Sequence, residues 1–99
     1  MRKLTRTATA ERDLEEILEY LNGHRPSAAT RFAADFDARC QLLPAQPKTG
    51  RARDDLVAEM RSVVVGRYLI FFLPTDDEVF IVRVLHGSRN ITPDMFPAP

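Results

Sequence analysis

An α+β fold of order β-α-α-β-β-β, with a two-helix hairpin packed on one face of a mainly antiparallel sheet, is what these 99 residues predict. Three observations lead there. Two apolar stripes at helical spacing fill the first half of the chain. Three runs rich in β-branched and aromatic residues, joined by short turns, fill the second. Prolines and a glycine cluster between them.

Each element has its own reason. Residues 2–6 alternate in polarity and read as a first strand, and the Thr7 hydroxyl then offers a helix cap. Leu14, Ile17, Leu18 and Leu21 make one helical stripe, opposite Glu11, Arg12, Glu15, Glu16 and Glu19. Asn22 and Gly23 tolerate the left-handed backbone that ends a helix, so the first helix is expected to stop there. Pro26 suits the start of a second helix with Ala29, Phe32, Ala33, Phe36, Cys40 and Leu43 as its stripe. Cys40 reads as core filling rather than a reactive thiol. Pro44 and Pro47 stop that helix, and residues 45–55 read as a loop pivoting on Gly50. Strands follow at 60–65, 68–73 and 79–85, turning at Gly66-Arg67 and at Pro74-Thr75-Asp76-Asp77. Residues 91–99, with three prolines, are expected to drape over the sheet.

Composition narrows the function. The length implies one domain spanning residues 1–99. Fourteen basic and fourteen acidic residues cancel, so neither strong sequence-independent nor direct sequence-specific nucleic-acid binding is expected. No apolar run has membrane-spanning length, and no secretory leader is visible, which predicts a cytoplasmic protein with no membrane partner. A single cysteine excludes an internal disulfide, and with only His24 and His86 beside it neither a metal nor a cofactor is expected.

The strands are too apolar for a sheet with one wet face, since residues 69–73 are apolar throughout and Phe80-Ile81-Val82 repeats the pattern. The helices can cover one face. The other is closed either by Ile91, Met95 and Phe96 or by a segment from outside, and the reading taken is the outside segment. Arg61, Arg67, Arg83 and Arg89 come from or follow these strands, with His86 between the last two. Arg83 is expected on the same strand face as Val79, Ile81 and Leu85. Planar guanidiniums suit carboxylate or phosphate, while pairing with the chain's own acids is the plain alternative. A metal-independent nuclease would need a base, an acid and cations, roles that His86, Glu59, Arg67 and Arg89 nominally supply. A structural histidine at a strand end explains His86 more simply.

These residues also carry a resemblance. Residues 11–21, the Pro26 and Ala28-Ala29-Thr30-Arg31-Phe32 start of the second helix, and the loop ending Pro47-Lys48-Thr49-Gly50-Arg51 resemble the corresponding parts of ParE-type toxins. The sheet segments Met60-Arg61-Ser62, residues 65–72 and residues 81–91 are the most specific pieces. The chain is thereby identified as a member of the ParE/RelE toxin superfamily, over nearly its whole length. The resemblance implies a bacterial toxin of a type II toxin–antitoxin system, bound by a cognate ParD-like antitoxin. Relatives of the ParE kind inhibit DNA gyrase, and relatives of the RelE kind cleave mRNA on the ribosome. Zero net charge, the Gly66-Arg67-Tyr68 and His86-Gly87-Ser88-Arg89 pieces, and a tail lacking tyrosine at Thr92-Pro93-Asp94-Met95-Phe96 resemble the ParE side. Asn90 stands where many ParE sequences carry Asp. The reading taken is a gyrase inhibitor that acts by binding, with no catalytic residues. Its antitoxin contacts are expected at Arg61, Arg67, Leu69, Phe71, Phe80, Val82, Arg83, His86 and Arg89. The alternatives are a ribosome-dependent mRNA endoribonuclease using Arg67, His86 and Arg89, or an inactive homologue kept for its interactions.

Overall fold

A computed structural model describes residues 2–96. Strand β1 (Lys3–Arg6) leads into helix α1 (Ala8–His24), then α2 (Pro26–Leu42), a two-residue strand β2 (Arg51–Ala52), and the meander β3 (Arg61–Val65), β4 (Tyr68–Pro74) and β5 (Glu78–His86). A 3-10 turn (Pro93–Met95) follows. The strands lie in the order β1-β5-β4-β3-β2, antiparallel except for the parallel pair β1 and β5. The predicted two-helix hairpin on a mainly antiparallel sheet is what forms, with β2 as an addition.

Thr7 caps α1 as expected, its Oγ1 accepting from the Ala10 N–H at 3.1 Å. The same hydroxyl donates to the Val82 carbonyl at 2.9 Å, which ties the start of α1 to β5. Asn22 and Gly23 do not end the helix. It runs on to His24 and breaks at Arg25, whose φ of −153° lies outside the helical region. The cause is Pro26, whose ring excludes helical backbone at the residue before it. One residue therefore separates two helices, and the Arg25 carbonyl already accepts from Ala28 and Ala29.

Both helices bury their stripes on one sheet face. Ala10, Leu14, Phe32, Phe36, Cys40 and Leu43 meet Val63, Val65, Ile70, Phe72, Val79, Ile81 and Val84. Ala33 is the exception, being exposed. Phe36→Ala is expected to cost about 3–5 kcal/mol in a urea titration, since its ring is buried between helix and sheet. Burial pushes the Cys40 thiol up to about 12 from an ordinary 9.0. Cys40 is thus expected to resist thiol reagents at pH 8 until the chain unfolds. Because the folded thiol keeps its proton to higher pH than the unfolded one, this stabilisation is full below 9.0 and is lost as pH rises towards about 12. Cys40→Ala should flatten that alkaline slope in a thermal melt.

The far face carries a second core. Leu56, Met60, Phe71, Val82, Leu85 and Phe96 are buried there, with Val57, Leu69, Leu73, Phe80, Ile91 and Met95 packed around them. The chain's own tail and the 53–60 loop therefore cover the middle of the face assigned above to an outside segment. Phe96 stacks edge-on against Phe71 at 5.0 Å, and the Arg53 guanidinium lies 5.6 Å from the centre of the same ring.

Gly50 marks the turn into β2. Its φ is +79°, and a Cβ there would meet the Ser62 carbonyl oxygen at 2.2 Å. Gly50→Ala is expected to lower the urea midpoint by at least the equivalent of about 2 kcal/mol, combining a left-handed backbone cost with a clash. A loss of only a few tenths would show that β2 is free to move away from β3.

Candidate functional site: the sheet end at Arg67, His86 and Arg89

The β3–β4 hairpin and the end of β5 meet at one corner of the sheet. Gly66 (φ +59°) and Arg67 make a two-residue turn between the paired Val65 and Tyr68, and glycine in first place with positive φ suits such hairpins. Tyr68 pairs with His86 across β4 and β5. Beyond the strands, the Gly87 N–H donates to the Arg67 carbonyl at 2.8 Å, and the Arg89 N–H donates to the His86 carbonyl at 3.1 Å. The backbone thus brings Arg67, His86 and Arg89 to one corner. Both arginines are exposed, and among the described residues neither has a carboxylate partner.

His86 is oriented by two contacts. Its Nδ1 accepts the Ser88 backbone N–H at 3.1 Å and lies 2.7 Å from Ser88 Oγ. Accepting at Nδ1 leaves the neutral ring's proton on Nε2. The ring meets Tyr68 edge-on at 5.1 Å, and Tyr68 in turn meets Phe32 edge-on at 5.0 Å. Burial, with Tyr20 as a lesser influence, raises the Tyr68 phenol above its ordinary value. His86 is therefore a half-buried histidine at a strand end, braced by its own loop.

Glu59, the acid nominally available to a nuclease, is elsewhere. It precedes β3 while Arg67 follows it, which separates the two by on the order of 20 Å along the strand. Glu59 serves its own loop, holding φ +67° with its N–H donating to Asp54 Oδ1 at 2.9 Å.

The other expected contacts fall into four groups. Leu69 and Phe80 lie half-buried on the tail-covered face. Phe71 and Val82 share that face at 0% and 7% exposure, so in this conformation they offer no open surface, because the tail lies over them. Arg61, at the opposite end of β3, donates from Nε to the Thr49 carbonyl and from Nη2 to the Gly50 carbonyl, both at 3.0 Å. It pins the loop into β2.

Arg83 departs furthest from expectation. A β-bulge shifts the β4–β5 register, so that Phe72 faces Ile81 while Phe71 faces Arg83. Strand alternation restarts one residue late. Val79, Ile81 and Val84 face the helices, and Leu85 faces the tail. At the bulge, Arg83 donates from Nε and Nη2 to both carboxylate oxygens of Asp13, at 2.9 and 2.6 Å. Nη1 donates to the Met95 carbonyl at 2.9 Å. The Asp13 hydrogen bond outweighs burial and raises the guanidinium's pKa. Arg83 is thus a strut between α1 and the tail.

Sequence reasoning missed Asp13, which is buried at 7% exposure. It also accepts the Val84 N–H at 3.0 Å, where β5 has run past the end of β1 and lacks a neighbouring strand. A signal existed: Asp13 lies three residues after Ala10 and four before Ile17, on the apolar side of α1.

Among the described residues no helix is long and apolar enough to cross a membrane, and no group of His, Cys, Asp and Glu has the arrangement of a metal site. No curated protein matches the chain. A chain of the chromosomal ParDE TA system from P. aeruginosa superposes with a TM-score of 0.74 at 21% identity, over 87% of this chain and 96% of that one. A conserved hypothetical protein from Helicobacter pylori superposes with a TM-score of 0.54 at 20% identity, over 90% and 98%. At such identities these two likenesses speak for the fold. A family model described as "ParE toxin of type II toxin-antitoxin system, parDE" matches residues 4–91. The chain belongs to the ParE toxin family of type II toxin–antitoxin systems.

Proposed function

We propose that this protein is a bacterial, cytoplasmic toxin that acts by binding DNA gyrase and is neutralised by a ParD-like antitoxin. The match to the ParE family across residues 4–91 carries the reading. The corner geometry supports binding over catalysis. Phosphodiester cleavage by general acid–base chemistry needs an acid and a base within reach of one phosphate. Here Glu59, the nominal acid, lies at the far end of β3 from the corner that holds His86, so the two do not converge on one phosphate.

The antitoxin contacts proposed are Arg67, Leu69, Phe80, His86 and Arg89, which are exposed or half-buried. Phe71 and Val82 join them where the tail lifts, and Arg61 and Arg83 contribute by holding the loop and the tail in place. Induced expression is expected to arrest growth, and co-expression of the small antitoxin encoded beside the gene is expected to relieve it. Arg67→Ala should weaken that complex by about ten-fold, the loss of one charged contact, while leaving the melting temperature in place. An unfolded Arg67→Ala protein, or growth arrest that the antitoxin does not relieve, would count against the reading.

A further inference from the structure

β2 covers little of its neighbour. Its pairs are Arg51 with Ser62 and Ala52 with Arg61, so it ends before Val63. Upstream, Gly50 still lies against Ser62 and Val63, held there by Arg61 on the Thr49 and Gly50 carbonyls, and the strand pairing goes no further. β3 continues through Val63, Val64 and Val65, and no described strand lies beside them on that edge. The Met60 carbonyl accepts from Arg53 on the β2 side, and the two-residue period of a strand aims the backbone groups of Ser62 and Val64 the same way. Among the described residues, no partner meets the Val64 N–H and C=O on that side.

Open edges normally carry a charge, a proline or a bulge that discourages pairing. This one carries three valines. Val63 and Val65 turn into the helix-side core, while Val64 is 63% exposed on the other face. It continues a row through Leu69 and Leu85, its register partners across β4 and β5. The row ends in the open, and exposed Arg67 follows it with Arg89 at the same corner.

We propose that the Val64 edge of β3 is a strand-addition site for an extended partner segment of alternating apolar and acidic residues. Main-chain bonds to Val64 would hold the strand, an apolar side chain would cover Val64 and Leu69, and carboxylates would meet Arg67 and Arg89. A second copy fits poorly. Antiparallel pairing of two β3 edges about Val64 would set Arg67 of one copy opposite Arg61 of the other, and β2 already occupies Arg61 and Ser62. The biological identity of the partner, as the antitoxin's sealing segment, rests on the toxin–antitoxin reading; the geometry of the edge does not.

The probe is a synthetic capped peptide of alternating valine and glutamate, titrated into isotope-labelled full-length protein, with a valine–lysine peptide alongside. The glutamate peptide is expected to shift the Val64, Val65 and Arg67 amides saturably and to slow exchange at Val64. The lysine peptide should bind about ten-fold more weakly or not at all. Val64→Lys should lose binding with an unchanged melting temperature, and Arg67→Glu should reverse the preference between peptides. Shifts that avoid β3, equal binding by Val64→Lys, or concentration-dependent pairing of the free protein through Val64 would overturn the proposal. Growth arrest relieved equally well by the antitoxin for wild type and Val64→Lys would also overturn it, while sparing the toxin–antitoxin reading. Peptide binding at Val64 in a protein that never arrests growth would do the opposite.

Discussion

Asp13→Ala is expected to destabilise the protein by about 3–5 kcal/mol, because it leaves a guanidinium partly buried without its counter-charge. Asp13 accepts three hydrogen bonds, two from Arg83 and one from the Val84 N–H. The paired side chains are 8% and 16% exposed, so water replaces little of what is lost. Asp13→Asn retains an acceptor and should lose less. Replacing both partners, Asp13→Leu with Arg83→Met, should recover much of the stability, since two apolar groups leave no orphaned charge behind. Urea titrations of the single and double variants measure the coupling directly. A cost below about 1 kcal/mol for Asp13→Ala would place the pair with solvated surface bridges instead.

Phe71→Ala should cost a similar amount, about 3–5 kcal/mol, for a different reason. Phe71 was expected to be a partner contact, yet it is fully buried beneath Phe96 and Arg53. Its removal would open a cavity under the tail and loosen the Met95 and Phe96 packing on that face. Amide exchange around the 3-10 turn should therefore quicken more than exchange in α2. Should Phe71→Ala prove nearly neutral, the tail would be a loose cover and the far face would be available to a partner after all.

The helices are legible because their apolar residues keep one period over many positions, and the three long strands because β-branched and aromatic residues crowd into short runs between turn residues. Where the period is interrupted the reading failed, each time for a local reason. Pro26, rather than Gly23, sets the end of α1, because exclusion of helical backbone before proline outweighs the tolerance of Asn and Gly. β2 has too few residues to show any period. The bulge shifts alternation within β5, so Arg83 and Leu85 separate although two residues apart. The apolar strands show that the far face does not lie open, but not that the 53–60 loop and the tail close its middle. Leu56 and Val57 fall between the loop read at 45–55 and the strand read from Met60, too short a stretch to show a period, which hides their packing role. At the corner, Arg67, His86 and Arg89 were named from sequence, and the turn bonds of Gly87 and Arg89 bring them together.

The proposed mode of action is tested most directly by two parallel reactions with purified, antitoxin-free protein. One follows gyrase-driven supercoiling of relaxed plasmid, the other mRNA integrity during cell-free translation. A binding toxin of the ParE kind predicts loss of supercoiling with intact mRNA, and His86→Ala should leave that inhibition largely in place. Cleaved mRNA with unaffected gyrase, abolished by substituting Arg67, His86 or Arg89, would contradict it and make that corner of the sheet catalytic.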